Sequence, residues 1–95
     1  MDREANARAV SVHLPRALLA LFPGAPTRVA LEAGTVREAM AALDARWPGM
    51  RDRLCDNRPA IRRHINVFVD GTRATLDTEL RPGTEMVVMT AISGG

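Results

Sequence analysis

The segment from Gly34 to Trp47 can be satisfied by one kind of local structure. Thr35-Val36-Arg37-Glu38 has the spacing of a capping box, in which Thr35 caps a helix and Glu38 reaches back to the Thr35 amide. Val36, Met40, Leu43 and Trp47 then recur at i, i+4, i+7 and i+11, one apolar stripe lined by Ala39 and Ala42. Pro48-Gly49 stops the pattern, so a helix of about thirteen residues over 35–47 is predicted. A helix with one apolar stripe must lie on something apolar, and the segments on either side supply a sheet.

Val10, Val12 and Leu14 alternate with polar neighbours and predict a half-buried strand ended by Pro15; Val29 and Leu31 do the same within 27–32. Between them, residues 16–26 carry Leu18, Leu19, Leu21 and Phe22 and close on Pro23-Gly24-Ala25-Pro26. They read as a loop with a short helical turn that tucks Leu19 or Phe22 against the core. After the helix, residues 49–61 form a polar connection with one helical turn at 50–54. Ile65 to Val69 is a third strand, Asp70-Gly71 a tight-turn dipeptide, and Thr72 onward a short return strand. A turn then drops Leu80 into the core. Arg81-Pro82-Gly83-Thr84 turns the chain into an apolar last strand, Glu85 to Thr90, whose faces are both at least partly covered. The predicted order is β-β-α-β-β-β in an α+β domain over residues 8–90. Residues 1–7 are expected to be a flexible end and residues 91–95 a flexible tail.

Composition narrows the function. With 95 residues and 46% hydrophobic content, the chain can bury a core unaided. One cysteine, Cys55, excludes an internal disulfide framework and a cysteine-rich zinc site. The longest apolar stretches fall far short of the roughly 20 residues that span a bilayer, and no basic-plus-apolar leader opens the chain. A cytoplasmic protein without a membrane partner is expected. The pI of 9.9 overstates the basic field, because the net charge is only +2. All thirteen basic residues are arginine, and lysine and tyrosine are absent, so little titrates before arginine itself. Phe22, Trp47 and Phe68 are the only aromatics, and Trp47 belongs to the helix's core stripe, which argues against nucleic-acid binding.

The chemistry concentrates in Ala91-Ile92-Ser93-Gly94-Gly95. Glycine has no Cβ, so Gly94 and Gly95 can thread a channel closed to other residues, and a Gly95 carboxylate would be the least hindered acyl group a protein can offer. Five extended residues reach roughly 17 Å, enough to enter a partner's active site while the globule stays outside. A carboxylate is a poor electrophile until its oxygen is replaced by a leaving group. This chain has no phosphate-binding loop and no paired nucleophile and base, so a nucleotide-using partner would have to activate it.

With Ile65 to Gly71, the Leu80 to Glu85 turn and Met86 to Gly95, the chain resembles the MoaD/ThiS family of ubiquitin-like β-grasp sulfur carriers. The likeness covers residues 9–95, and its specific part is the last thirty. The runs Leu43 to Leu54 and Arg63 to Val69 are most similar to the CysO type. Ile92-Ser93 departs from the commoner Val-Ala or Val-Thr but keeps an apolar-then-small pattern. The resemblance implies a carrier that is not itself an enzyme and binds no cofactor. An E1-like adenylating enzyme of the MoeB/ThiF type would use ATP to adenylate Gly95, and a sulfur donor would convert the adenylate to a thiocarboxylate. In the CysO type the acceptor is a pyridoxal-phosphate-dependent cysteine synthase, and a metal-dependent peptidase releases the product. The alternatives are the small subunit of molybdopterin synthase, bound to its large subunit, and a sulfur donor for thiamine or a specialised metabolite. A different class is a protein-conjugation tag, and another is an interaction module with an inert tail.

Partner contacts can be placed from the strand period. If Val67 and Val69 face the helix, Phe68 faces away, and on a neighbouring last strand so do Val87 and Met89. Phe68, Val87 and Met89 would then form an apolar patch beside the tail, with Ile92 beyond it, unless residues 15–26 cover it. Arg62 and Arg63, with Arg58 and His64, form a basic cluster, either a solvated surface or a contact for an acidic rim on a partner. Cys55 lies among Arg51, Arg53 and Arg58, which would favour its thiolate, yet a single partly buried cysteine reads as structural rather than as a persulfide relay. His13 and His64 have no acidic or cysteine partner at ligand spacing and read as neither a metal site nor a catalytic base.

Overall fold

The computed structural model describes residues 9–90. The expectations for 1–7 and 91–95 lie outside the described residues. Five strands form one mixed sheet: β1 (Val10–His13), β2 (Arg28–Leu31), β3 (Ile65–Val69), β4 (Thr72–Arg73) and β5 (Glu85–Thr90). The helices are α1 (Arg16–Leu19), α2 (Val36–Arg46) and α3 (Met50–Leu54). The spatial order is β2-β1-β5-β3-β4. β1 and β5 run parallel at the centre, and the other pairings are antiparallel. This is the β-grasp arrangement: two hairpin-like pairs joined through the last strand, with one main helix across the sheet.

Strand alternation decides which residues the helix covers. Val10 and Val12 of β1, Val29 and Leu31 of β2, Ile65 and Val67 of β3, and Met86 and Val88 of β5 are buried. Val36, Ala39, Met40 and Leu43 of α2 pack onto them, together with Met50 and Leu54 of α3. Leu80 is buried as expected. On β5 the covering is uneven: Met86 and Val88 are sealed, whereas Met89 is 48% exposed. The strand therefore alternates more sharply than its apolar sequence suggests.

The helix start is tied to a distant loop. The Glu38 amide donates to the Thr35 hydroxyl oxygen at 3.2 Å, as the capping box requires. The Glu38 carboxylate, however, accepts from the Gly34 amide at 2.7 Å and not from Thr35. The physical reason is that residues 34–37 also pair with the loop at 76–80. Val36 and Arg37 donate to the carbonyls of Thr78 and Leu76, and Leu80 donates to that of Gly34. This pairing consumes two of the orphan amides at the helix start. α2 is also shorter than expected. It ends at Arg46, and Trp47 takes φ −129° and ψ 88°, half-buried against the core.

Asp44 explains how α3 follows so closely. Its carboxylate accepts from the amides of Gly49 and Arg51 at 3.0 and 3.1 Å, bridging the end of α2 to the start of α3. Gly49 sits at φ +96°, a conformation that glycine adopts without cost. In the 15–26 segment the buried anchor is Leu18, while Leu19 and Phe22 are only partly buried. One short helical turn over Arg16–Leu19 directs Leu18 into the core and leaves Leu21 51% exposed.

Candidate functional site

The sheet face opposite α2 carries the predicted contact residues. Phe68 is directly opposite Val87, and Met89 is opposite Asn66, two positions along. The expected grouping of Phe68, Val87 and Met89 on neighbouring strands is therefore what the register produces. Phe68 and Val87 are half-buried and Met89 is the most open of the three. The 15–26 segment packs toward the helix layer: Leu18 enters the core, and a Cβ at Gly49 would lie 3.8 Å from the Phe22 ring.

The pairing places polar residues on this face that sequence reasoning missed. Val87 is also level with His13 on β1, His13 is level with Arg28 on β2, and Phe68 is level with Arg73 on β4. Arg28, His13, Val87, Phe68 and Arg73 thus form one row across all five strands. The Arg73 guanidinium stands 5.9 Å from the Phe68 ring centre, a cation–π distance. The His13 imidazole lies 3.2 Å from Arg28 and 3.3 Å from the Glu85 carboxylate. An apolar centre with charged ends is the composition of a recognition surface, where the centre supplies affinity and the rim orientation. The signal for His13 was present, since Val10, Val12 and Leu14 point inward. What was missing was its neighbour, because β1 meets β5 only through the fold.

The hairpin turn fixes the far end of the row. Asp70 and Gly71 both have positive φ, +48° and +86°. The Asp70 carboxylate accepts from the Glu85 amide at 3.0 Å and its own amide donates to the Glu85 carbonyl at 2.9 Å. This locks the β3–β4 turn onto the start of β5.

At the other end Thr90 is paired with Ile65. Residues 91–95 continue from there, so Ile92, Gly94 and Gly95 lie outside the described residues. The basic cluster stands at this end of β3 but is divided. Arg58 turns away to chelate Asp56, and its guanidinium pulls the Asp56 carboxyl down to about 2, helped by the backbone amides of Arg58 and Ala60. The Arg62 side chain donates to the Asp52 carbonyl at 2.8 Å, near the end of α3. Arg63 and His64 are exposed.

Cys55 is 7% exposed. Burial raises its thiol pKa and outweighs the opposing pull of Arg51, Arg62 and Arg37. The arginine neighbourhood therefore does not produce a thiolate, because the sulfur is desolvated, and Cys55 is the buried cysteine that was expected. Among the described residues no three His, Cys, Asp or Glu side chains are grouped to hold a metal ion. No described helix is long and apolar enough to cross a membrane.

Comparison with known proteins adds the family. The ThiS family model matches residues 19–95. No curated protein matches. Among solved structures, a chain of the Amycolatopsis orientalis BexX/CysO complex is similar, with 27% identity over 92% of this chain and 100% of that one, and a TM-score of 0.81. SAMP1 from Haloferax volcanii is 27% identical over 92% of this chain and 99% of its own, with a TM-score of 0.75. Mycobacterium tuberculosis CysO shares the fold, with a TM-score of 0.79 over 87% of this chain and 99% of its own at 22% identity. With five strands in β-grasp order and a family match that runs through the diglycine, the chain belongs to the ThiS family of ubiquitin-like sulfur carriers.

Proposed function

We propose that the chain carries sulfur on the Gly95 carboxylate and delivers it to a CysO-type cysteine synthase. The carboxylate attacks the α-phosphorus of ATP on an E1-like partner, releasing pyrophosphate and leaving an acyl-adenylate. A sulfide-level donor then displaces AMP, and the C-terminal acyl group becomes a thiocarboxylate. The acceptor enzyme takes the sulfur, and hydrolysis restores the carboxylate. The protein is a cosubstrate in this cycle, which runs in the cytoplasm with ATP supplied to the partner.

The observation that carries the reading is the family match that runs through Gly94-Gly95, which follow the last strand in the sequence after Ala91-Ile92-Ser93. The CysO-type destination draws support from the similarity to a chain of the BexX/CysO complex. In this reading Phe68, Val87 and Met89 dock on the activating enzyme, Ile92 enters its channel with the glycines, and Arg62 and Arg63 meet an acidic rim. A second reading, attachment of Gly95 to another protein's amine, is favoured by the equal identity to SAMP1, a small archaeal modifier protein.

The test is incubation of a Cys55→Ser variant with ATP, the E1-like enzyme and a sulfide source, followed by intact mass and thiol-specific alkylation. Alkylation is needed because oxidation of one of the five methionines mimics an oxygen-to-sulfur exchange. The carrier reading requires labelling that disappears when Gly95 is deleted. High-mass conjugates without labelling support the tag reading.

A further inference from the structure

The two edges of the sheet are not alike. β4 closes one side with only Thr72–Arg73, whereas β2 closes the other with Arg28–Leu31. Pairing decides which backbone groups of β2 are satisfied. The Leu14 amide donates to the Thr27 carbonyl, and the register runs from His13 opposite Arg28 to Val10 opposite Leu31. Antiparallel partners alternate between bonded and non-bonded pairs. Val29 and Leu31 therefore bond to β1, while the amides and carbonyls of Arg28, Ala30 and, one step beyond the strand, Glu32 point away from the sheet. Among the described residues no backbone group bonds to them from that side.

This open stretch is bounded at both ends. At the preceding outward position Pro26 has no amide to offer. At the following one, the Gly34 amide donates to the Glu38 carboxylate and the Gly34 carbonyl accepts from Leu80. The centre of what remains is Ala30, small and exposed, with exposed Arg28 two residues before it and exposed Glu32 two residues after. Charged side chains usually blunt a sheet edge against strand addition. Here they are one of each sign, placed symmetrically about the centre.

We infer that the β2 edge pairs with the β2 edge of a second copy of this chain, antiparallel, with Ala30 opposite Ala30. That register sets Arg28 of each copy opposite Glu32 of the other. The three outward residues then exchange two N–H···O=C bonds per pair, and the two five-stranded sheets become continuous. A register two residues away sets Arg28 or Glu32 opposite Ala30 and loses bonds as well as both charge contacts. Opposite charges directly across antiparallel strands stabilise the pairing, and like charges oppose it. The Arg28 guanidinium can serve both sides: its contacts to His13 and Glu85 run through Nη2, at 3.2 and 3.8 Å, and a guanidinium has five N–H donors. The twofold axis is perpendicular to the sheet, so both copies present Phe68, Val87 and Met89 on the same face. One short strand is a small contact, which places the association in the weak class, with a Kd between about 10 μM and about 1 mM.

Sedimentation equilibrium of the whole chain tests the pairing without any activating enzyme, so it can fail while the sulfur-carrier reading stands. The parent should show a reversible monomer–dimer equilibrium, and exchange of the Arg28, Ala30 and Glu32 amides should slow as concentration rises. Arg28→Glu alone and Glu32→Arg alone each turn both contacts into like-charge pairs and should weaken dimerisation at least about tenfold. An equimolar mixture of the two variants should associate within about threefold of the parent, because the mixed dimer again has opposite charges at both contacts. Unchanged β3 and β5 amide shifts would verify that each variant folds. A parent that stays monomeric at about 1 mM overturns the inference. So does a dimer that neither charge change weakens, or a mixture that associates no better than its components.

Discussion

The two faces of the sheet are built from the same strands and serve opposite ends. Toward α2, Val12, Val67, Met86 and Val88 are all at most 2% exposed and meet Met40 and Leu43. Away from it, the row from Arg28 to Arg73 places an apolar pair between charged residues, half-open to solvent. A sealed face stabilises, because each buried side chain removes apolar surface from water and leaves no gap behind. An open face of similar hydrophobicity stabilises less and leaves that surface for a partner to bury. The comparison separates residues that hold the fold from residues that read another protein.

The sharpest way to break it is by truncation. Leu43→Ala on the sealed side should cost about 2–5 kcal/mol in chemical denaturation, a large part of a small domain's stability. Met89→Ala on the open side should cost less than about 0.5 kcal/mol. Equal losses would mean that the open face is part of the core.

A charge sharpens the other half. Met89→Asp should leave the denaturation midpoint within about 1 kcal/mol of the parent while weakening association with the activating enzyme at least about tenfold by titration calorimetry. Unchanged association would move docking to another surface.

The helix start gives a smaller effect. Thr35→Ala removes the acceptor for the Glu38 amide and should cost about 1 kcal/mol. The Gly34–Glu38 bond and the pairing of Val36 and Arg37 with the 76–78 carbonyls persist in that variant, so α2 should remain formed by circular dichroism.

The smallest effect lies outside both faces, at the 56–60 loop. The folded Asp56 carboxyl titrates at about 2, below its ordinary 3.8. Its contribution is therefore complete above the unfolded value and is lost as pH falls from about 4 toward about 2. The stability gap between parent and Asp56→Asn should narrow across that acid window and stay constant from pH 5 to 7. A gap that also changes between pH 5 and 7 would point to another group.

These contrasts also show what local sequence can carry. Alternation in Val10–Leu14 and Ile65–Val69 set the inward faces, and the Thr35 cap with its apolar stripe located α2, because each depends on neighbours within one turn or one pleat. The divergences are long-range. Glu38 bonds to Gly34 because a loop about forty residues away takes part in the helix start. Leu19 and Phe22 do pack against the core as the sequence suggests, and Leu18 is buried beside them once α1 is placed on the sheet. His13 and Arg73 join the open face only once β1 meets β5 and β4 meets β3. Cys55, by contrast, is the buried cysteine the sequence reading favoured, and its desolvation outweighs its arginine neighbours.

The account stands or falls on where sulfur appears. After incubation of Cys55→Ser with ATP, the activating enzyme and sulfide, alkylation and tryptic digestion, tandem mass spectrometry of the peptide spanning residues 74–95 should place the label on Gly95. A peptide 74–95 that is recovered unlabelled from an active reaction would contradict it.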